Sequence, residues 1–269
     1  MANFHVLAGA GEGLAHPVVR KIGFDDLRLS LAEGWRDFWQ KPSHIVFLGL
    51  IYPVVGVALA FWTSGANAWP LLFPLISGFA LVGPIAALPL YEMSRRQELG
   101  LDSHWRSALG VFRSPAMFSI AAVGILLFVI FALWLYAAQS LYEWQFGYGA
   151  PASLTGFINE VFTTDGGRNL IVWGIAIGFV FAVVALATAV ISIPLLLDRD
   201  VGAAVAVQTS VRAVLANPLA MAAWGLIVAA LLIIGSIPFL VGLAIVVPVL
   251  GHATWHLYRK VVAPAGRAP

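Results

Sequence analysis

The chain contains no cysteine. Disulfides, thiolate metal ligands and a cysteine nucleophile are therefore excluded, although this does not identify a redox compartment. Charge is also scarce. Charged residues make up 10% of 269 residues against 61% hydrophobic, which leaves too little polar surface to cover a soluble globule. With a mean hydropathy of +0.91, the chain reads as a polytopic membrane protein.

The scarcity is not uniform. Ile45 to Tyr91, Pro115 to Tyr142, Leu170 to Leu197 and Ala213 to Gly251 contain no Asp, Glu, Lys, Arg or His. Proton pumps and membrane enzymes keep such groups at depth although each costs roughly 2.5 to 3.5 kcal/mol on insertion scales. Their absence argues against proton-coupled transport and against a buried charged catalytic site. Neutral-solute transport stays open, because Asn, Ser, Thr and kinked backbone can line a cavity. Residues 1–19 lack the basic start and apolar core of a signal peptide and read as a loose tail. The net charge of +2 is small, and the basic residues gather at one set of helix ends, which indicates a membrane surface and not nucleic acid.

What is present is organised around Gly78 to Gly100, an apolar helix that reaches a tyrosine and stops at Arg95-Arg96. The ending recurs. Pro248 stands at the same distance from Arg259-Lys260 as Pro84 from Arg95-Arg96, and Pro194-Leu195 leads into Asp198-Arg199-Asp200 much as Pro89-Leu90 leads into Glu92 and Arg95. The chain then reads as one membrane domain, 20–260, of three units, 20–100, 101–199 and 200–260, with a C-terminal tail, 261–269. The expected fold is all-α, with six transmembrane helices as three repeats of interfacial helix plus helical hairpin around a pseudo-threefold axis. The spans are Ser43–Trp62, Leu71–Tyr91, Ala116–Ser140, Leu170–Leu197, Leu219–Ile234 and Phe239–Tyr258, the first of them roughly the twenty residues a bilayer core requires. Pro74, Pro84 and Pro89 predict kinks.

Each unit begins with a short amphipathic segment. In the first, Phe24, Leu27, Leu31, Trp35 and Phe38 recur at helical spacing, and Trp35 and Trp39 suit a lipid interface; packing against the cytoplasmic ends of the bundle fits the pattern equally. Only Leu141 to Asn169 is a long connection. Within it Ser153 can cap a helix whose Leu154, Phe157, Ile158, Val161 and Phe162 form a stripe, suited to an interfacial helix or to a partner-binding surface. Of the 15 Lys and Arg, Arg168 alone falls in a connection on the far side, so both termini are expected in the cytoplasm and the long connection outside.

Three runs carry a resemblance: Arg20-Lys21-Ile22 with Leu27, Leu31 and Gly34-Trp35-Arg36-Asp37-Phe38; Gly83-Pro84 through Leu90-Tyr91-Glu92-Met93-Ser94-Arg95-Arg96; and Gly251-His252-Ala253-Thr254-Trp255-His256-Leu257-Tyr258-Arg259. They resemble a family of bacterial integral membrane proteins filed as a domain of unknown function, some members of which carry the label of a cytochrome c oxidase subunit. The resemblance runs from Arg20 onward and implies a bacterial inner-membrane protein and a fold. It implies no established activity.

His252 and His256 stand four apart on one helix face and are the ligand candidates for a haem or metal; His44 is expected at the same level. The plainer reading makes them interfacial polar anchors, with no cofactor expected. Arg95 and Arg96, next to Glu92, read as a docking or headgroup patch or as topology anchors. Contact residues for lipid or partner are Trp35, Phe38, Trp39, Arg95, Arg96, Phe157 and Phe162. The expected function is non-enzymatic: an accessory, assembly or scaffolding component beside other subunits of a respiratory or photosynthetic membrane complex. The alternative is a carrier or channel for neutral or lipidic cargo. Reporter fusions test the topology: those after Gly65 and Gly149 report the outside and one after Pro269 the cytoplasm, and a cytoplasmic Gly149 reverses the orientation.

Overall fold

The computed structural model describes residues 17–40, 69–151, 153–238 and 241–264. The expected first span, Ser43 to Trp62, lies outside these residues, as do His44, residues 1–16 of the N-terminal tail and 265–269 of the C-terminal one. The described chain forms eleven α-helices: α1 (Phe24–Gln40), α2 (Leu72–Ala86), α3 (Leu88–Glu98), α4 (Trp105–Ala108), α5 (Met117–Phe146), α6 (Leu154–Thr163), α7 (Asp165–Ala189), α8 (Ser192–Asp198), α9 (Ala203–Ala216), α10 (Pro218–Ser236) and α11 (Leu243–Val261). Two 3₁₀ turns, Trp69–Leu71 and Leu109–Arg113, precede α2 and α5.

Three stretches among them are long and apolar enough to cross a bilayer: α5, α7 continued through α8, and α10. The protein is thus an all-helical membrane protein. Phe118, Ile125, Phe128 and Leu133 of α5, and Val172, Ile175 and Phe179 of α7, are exposed, as befits helices whose outer surface meets lipid. Helix α5 runs past Ser140 to Phe146, 30 residues in all. At 1.5 Å per residue that is about 45 Å, longer than a ~30 Å hydrocarbon core. Gly147, at φ 78°, ends it.

The expected second and fourth spans are each broken a few residues before a proline. In the first case α2 gives way to α3 at Ala87, ahead of Pro89; in the second α7 stops at Val190-Ile191, ahead of Pro194. A proline donates no backbone hydrogen bond and crowds the carbonyl four residues back, so the turn before it yields. Neighbouring side chains compensate: the Ile191 amide donates to Ser210 Oγ of α9 at 3.2 Å, and Ser192 Oγ donates to the Thr188 carbonyl at 2.5 Å. Pro84 and Pro248, by contrast, lie inside α2 and α11 without interrupting them.

Beyond the breaks, α3, α8 and α11 contact one another pairwise, and we call them the arms. The short helices lie outside the arms, with α4 against α3, α9 against α7 and α8, and α1 against α11. The segments on either side of the described domain, 18–20 and 261–263, meet as well. The Arg20 amide donates to the Val261 carbonyl at 2.7 Å and the Ala263 amide to the Val18 carbonyl at 3.0 Å, while Asn217 Oδ1 accepts from the Ile22 amide at 2.9 Å.

Helix α1 turns inward a face that differs from its apolar stripe. Leu27 and Phe38 are buried together with Ser30, Gly34 and Asp37, whereas Phe24 and Trp35 are exposed. Gly34 explains the rotation. A Cβ there would stand 2.5 Å from the Ala253 backbone nitrogen and 2.7 Å from its Cα, so only glycine permits this crossing, and Phe38, one turn on, is carried into the core. Gly34→Ala is expected to lower stability by about 1–3 kcal/mol, measured by thermal unfolding in detergent. Gly83→Ala, in α2 with nothing within 4 Å of the new Cβ, should be neutral or slightly stabilising.

Candidate functional site

The polar residues of the described chain concentrate where α1, α3, α8 and α11 converge. Asp37 of α1 is 4% exposed, and Ser94 of α3 and His252 of α11 are 1% exposed. Ser94 Oγ lies 2.6 Å from Asp37 Oδ2 and 2.8 Å from His252 Nδ1. His256 Nε2 lies 2.8 Å from the same Asp37 oxygen, and Gln97 Nε2 donates to Asp37 Oδ1 at 3.4 Å. Burial raises the Asp37 carboxyl, but hydrogen bonds from His256 and Ser94 and the nearby imidazoles outweigh it and hold the group below its ordinary 3.8.

The proton positions follow. An ionised carboxylate only accepts, so the Ser94 hydroxyl hydrogen goes to Asp37, and His252 Nδ1–H must donate to the Ser94 oxygen. His256 donates through Nε2–H. Its Nδ1 faces Glu33 Oε2 at 3.6 Å, too far for a hydrogen bond, while Glu33 takes the Lys260 ammonium. This direction of donation is the reverse of an activated serine, whose hydrogen must point to the imidazole that removes it.

A second group sits beside the first. The Arg259 guanidinium bridges Glu98 Oε1 at 2.7 Å and Asp198 Oδ2 at 3.3 Å. Tyr258 donates to Asp198 Oδ2 at 2.6 Å, and Trp255 Nε1 donates to Glu98 Oε2 at 3.1 Å. All three arms contribute: α3 brings Glu98, α8 brings Asp198 and α11 the rest. Glu92, 5% exposed, accepts from Arg95 at 3.2 Å and from Arg96 at 3.4 Å. Among the described residues no cluster of three His, Asp or Glu has the makings of a metal site.

The residues singled out from sequence divide accordingly. His252 and His256 come together with Asp37 and Ser94, not as a facing ligand pair. Arg95 and Arg96 neutralise Glu92 and are only partly exposed. Trp35 and Trp39 remain on the surface and stack edge to face at 5.7 Å, whereas Phe38 is 1% exposed and leaves the contact surface. On α6, Ser153 caps the helix through a bond from the Gly156 amide at 3.1 Å, as its position in the sequence predicts. Phe162 is exposed, while Phe157 rests against Tyr142 with ring centroids 6.0 Å apart. Sequence reasoning missed Asp37, Ser94, Glu98 and Tyr258 as partners. Asp37, Ser94 and Tyr258 each stand in one of the three runs that carry the resemblance, which was their signal; Glu98 lies outside those runs.

Comparison with known proteins agrees with the assignment to a membrane. Residues 71–198 match the family model described as predicted integral membrane protein, DUF2189. The matched stretch runs from α2 to α8, so it includes Ser94, Glu98 and Asp198 but neither α1 nor α11. No curated protein and no solved structure gave a match.

Asp37 also sets an acid limit. Because the unfolded carboxyl holds its proton more tightly than the folded one, the stability Asp37 contributes is complete above about 3.8 and is lost as pH falls through the lower folded value. Asp37→Asn is expected to cost about 2 kcal/mol or more at neutral pH. The variant should also lack part of the stability loss that the natural protein shows as pH falls below about 3.8, measured by chemical unfolding in detergent.

Proposed function

We propose that the protein is a non-enzymatic component of a larger membrane assembly, working as an accessory or scaffolding subunit through its surfaces. The observation that carries this is the mutual satisfaction of the ionisable groups at the arm ends. Asp37, Glu33, Glu92, Glu98 and Asp198 all hold basic or hydroxyl partners, and the Ser94 hydrogen is committed to Asp37. Such groups join helices; they are not presented to a substrate. On this reading His256 holds α11 to α1 and His252 holds it to α3, and no haem or metal is bound.

The same reading takes the chain as three repeated units with six spans and both termini in the cytoplasm of a bacterium, in its inner membrane. Two features support the repeat. The arms α3, α8 and α11 meet, and each outer helix lies on the arm of the preceding unit, with α1 on the last.

The surfaces available for partners are aromatic and lie at two levels. One is Trp35 with Trp39 on α1, and the other is Ile158 with Phe162 on α6, all exposed. Phe157 supports α6 from within, so Ile158 and Phe162 are the cleaner probes. Replacing both by serine should leave the thermal midpoint of the purified protein unchanged and weaken its co-purifying membrane complex tenfold or more, at least about 1.4 kcal/mol. If the protein instead runs alone in gentle detergent and proteoliposomes containing it pass neutral solutes, the carrier reading replaces this one.

A further inference from the structure

The basic residues that the structure describes fall into two sets. Those at the arm ends have acidic partners: Arg95 and Arg96 on Glu92, Arg199 and Arg259 on Asp198, Arg259 also on Glu98, and Lys260 on Glu33. Arg20 and Lys21 donate to backbone carbonyls, Arg106 lies 5.3 Å over the Trp105 ring, and Arg168 pairs with Asp165. Arg28, Arg36, Arg113 and Arg212 remain. All four are exposed and have no ion pair, hydrogen bond or ring contact among the described residues.

These four share a place in the fold: each lies on an outer helix or turn. Arg113 closes the 3₁₀ turn just before α5, and Arg212 lies near the end of α9, which leads through Asn217 into α10. Both α5 and α10 are candidate spans, so these guanidinium groups stand at the water end of a lipid-embedded helix. Apolar side chains flank them on the surface: Phe112 is 50% exposed beside Arg113, and Leu215 and Leu219 are 73% and 76% exposed beyond Arg212. On α1, positions 28, 32, 35, 36 and 39 form an outward face of Arg28, Ala32, Trp35, Arg36 and Trp39, with the opposite face docked on α11. Acidic residues hardly enter this surface. Helix α9 and the Leu109–Arg113 turn have none, and beyond Asp25 in the first turn the outward face of α1 has none either.

We propose that Arg28, Arg36, Arg113 and Arg212 form a rim that binds the phosphodiester groups of anionic phospholipids, with Trp35, Trp39, Phe112, Leu215 and Leu219 lying in the acyl boundary beneath them. Guanidinium groups bind phosphate oxygens in a bidentate manner, and a membrane leaflet bearing anionic lipid attracts such residues. Topology alone would be served by any arginine on this side, paired or not. It does not account for carboxylates accompanying every arm-end arginine and none of the rim.

The test uses the full-length protein in bilayers of phosphatidylcholine with phosphatidylglycerol, with spin-labelled lipids of either headgroup reporting the immobilised fraction. The natural protein is expected to immobilise phosphatidylglycerol several-fold more than phosphatidylcholine, with the preference falling as salt rises. Replacing the four arginines by glutamine should bring the ratio near one while the thermal midpoint in phosphatidylcholine stays unchanged. Arg95→Gln with Arg96→Gln should keep the preference, because those arginines are held by Glu92. If the fourfold variant fails to fold, Arg113→Gln and Arg212→Gln singly should each lower the ratio. The proposal is overturned if the natural protein shows no preference, if the rim variants retain it, or if it follows Arg95 and Arg96. A rim variant that keeps its lipid selectivity but loses a bound protein subunit would likewise assign the rim to that subunit.

Discussion

The close crossing of α1 over α11, where Gly34 meets the backbone of Ala253, is the contact on which the rest of the described structure depends. At that separation side chains near the crossing have nowhere to go but inward, so Asp37 is drawn between the helices. A buried carboxylate is tolerable only when donors surround it. Ser94 and Gln97 from α3 and His256 from α11 supply them, which ties a third helix to the crossing. Arg259, one turn beyond His256, extends the connection to α8 through Asp198. One glycine thus brings with it a polar network that joins the first helix, the last helix and both broken spans.

This arrangement separates two kinds of cohesion. Within the apolar stretches the helices pack by shape, as where Gly178 of α7 lies against the Trp134 ring of α5 and Gly174 allows the same approach. At the arm ends, where water is near, the helices are joined by charge and hydrogen bonds. Each mechanism suits its surroundings. Small-residue contacts need no solvent to drive them, while ion pairs cost little to form where carboxylates and guanidinium groups are not wholly removed from water. It also explains why the histidines do not stand as a ligand pair: each has a ring nitrogen turned to the clasp between α1 and α3.

The broken helices belong to the same design. Interrupting a span exposes backbone groups that lipid cannot satisfy, and the Ile191 amide is met by Ser210 from α9. That helix is therefore more than a connection, since its inner face of Ala206, Ser210 and Ala213 repairs the break while its outer face carries Arg212. Helix α1 works in the same two-sided way, with Asp37 inside and Arg36 outside. Neighbouring residues on one helix thus serve the fold and the membrane surface respectively.

The sequence by itself determined the class, the places where helices begin and end, and the distribution of charge. The uncharged runs predict α5, α7 and α10; Pro89 foretells the break between α2 and α3; and Ser153 announces α6. These signals are local, arising from hydrophobicity, missing donors and caps within a few residues. Only the tertiary structure decided which face of α1 turns inward, because that depends on Gly34 meeting Ala253 far along the chain. For the same reason Phe38 read as a contact residue, and Asp37 was not foreseen as the partner of Ser94 and His256. A side chain's hydropathy records its cost of burial in isolation, whereas its actual place is set by the partners that folding brings within hydrogen-bonding distance.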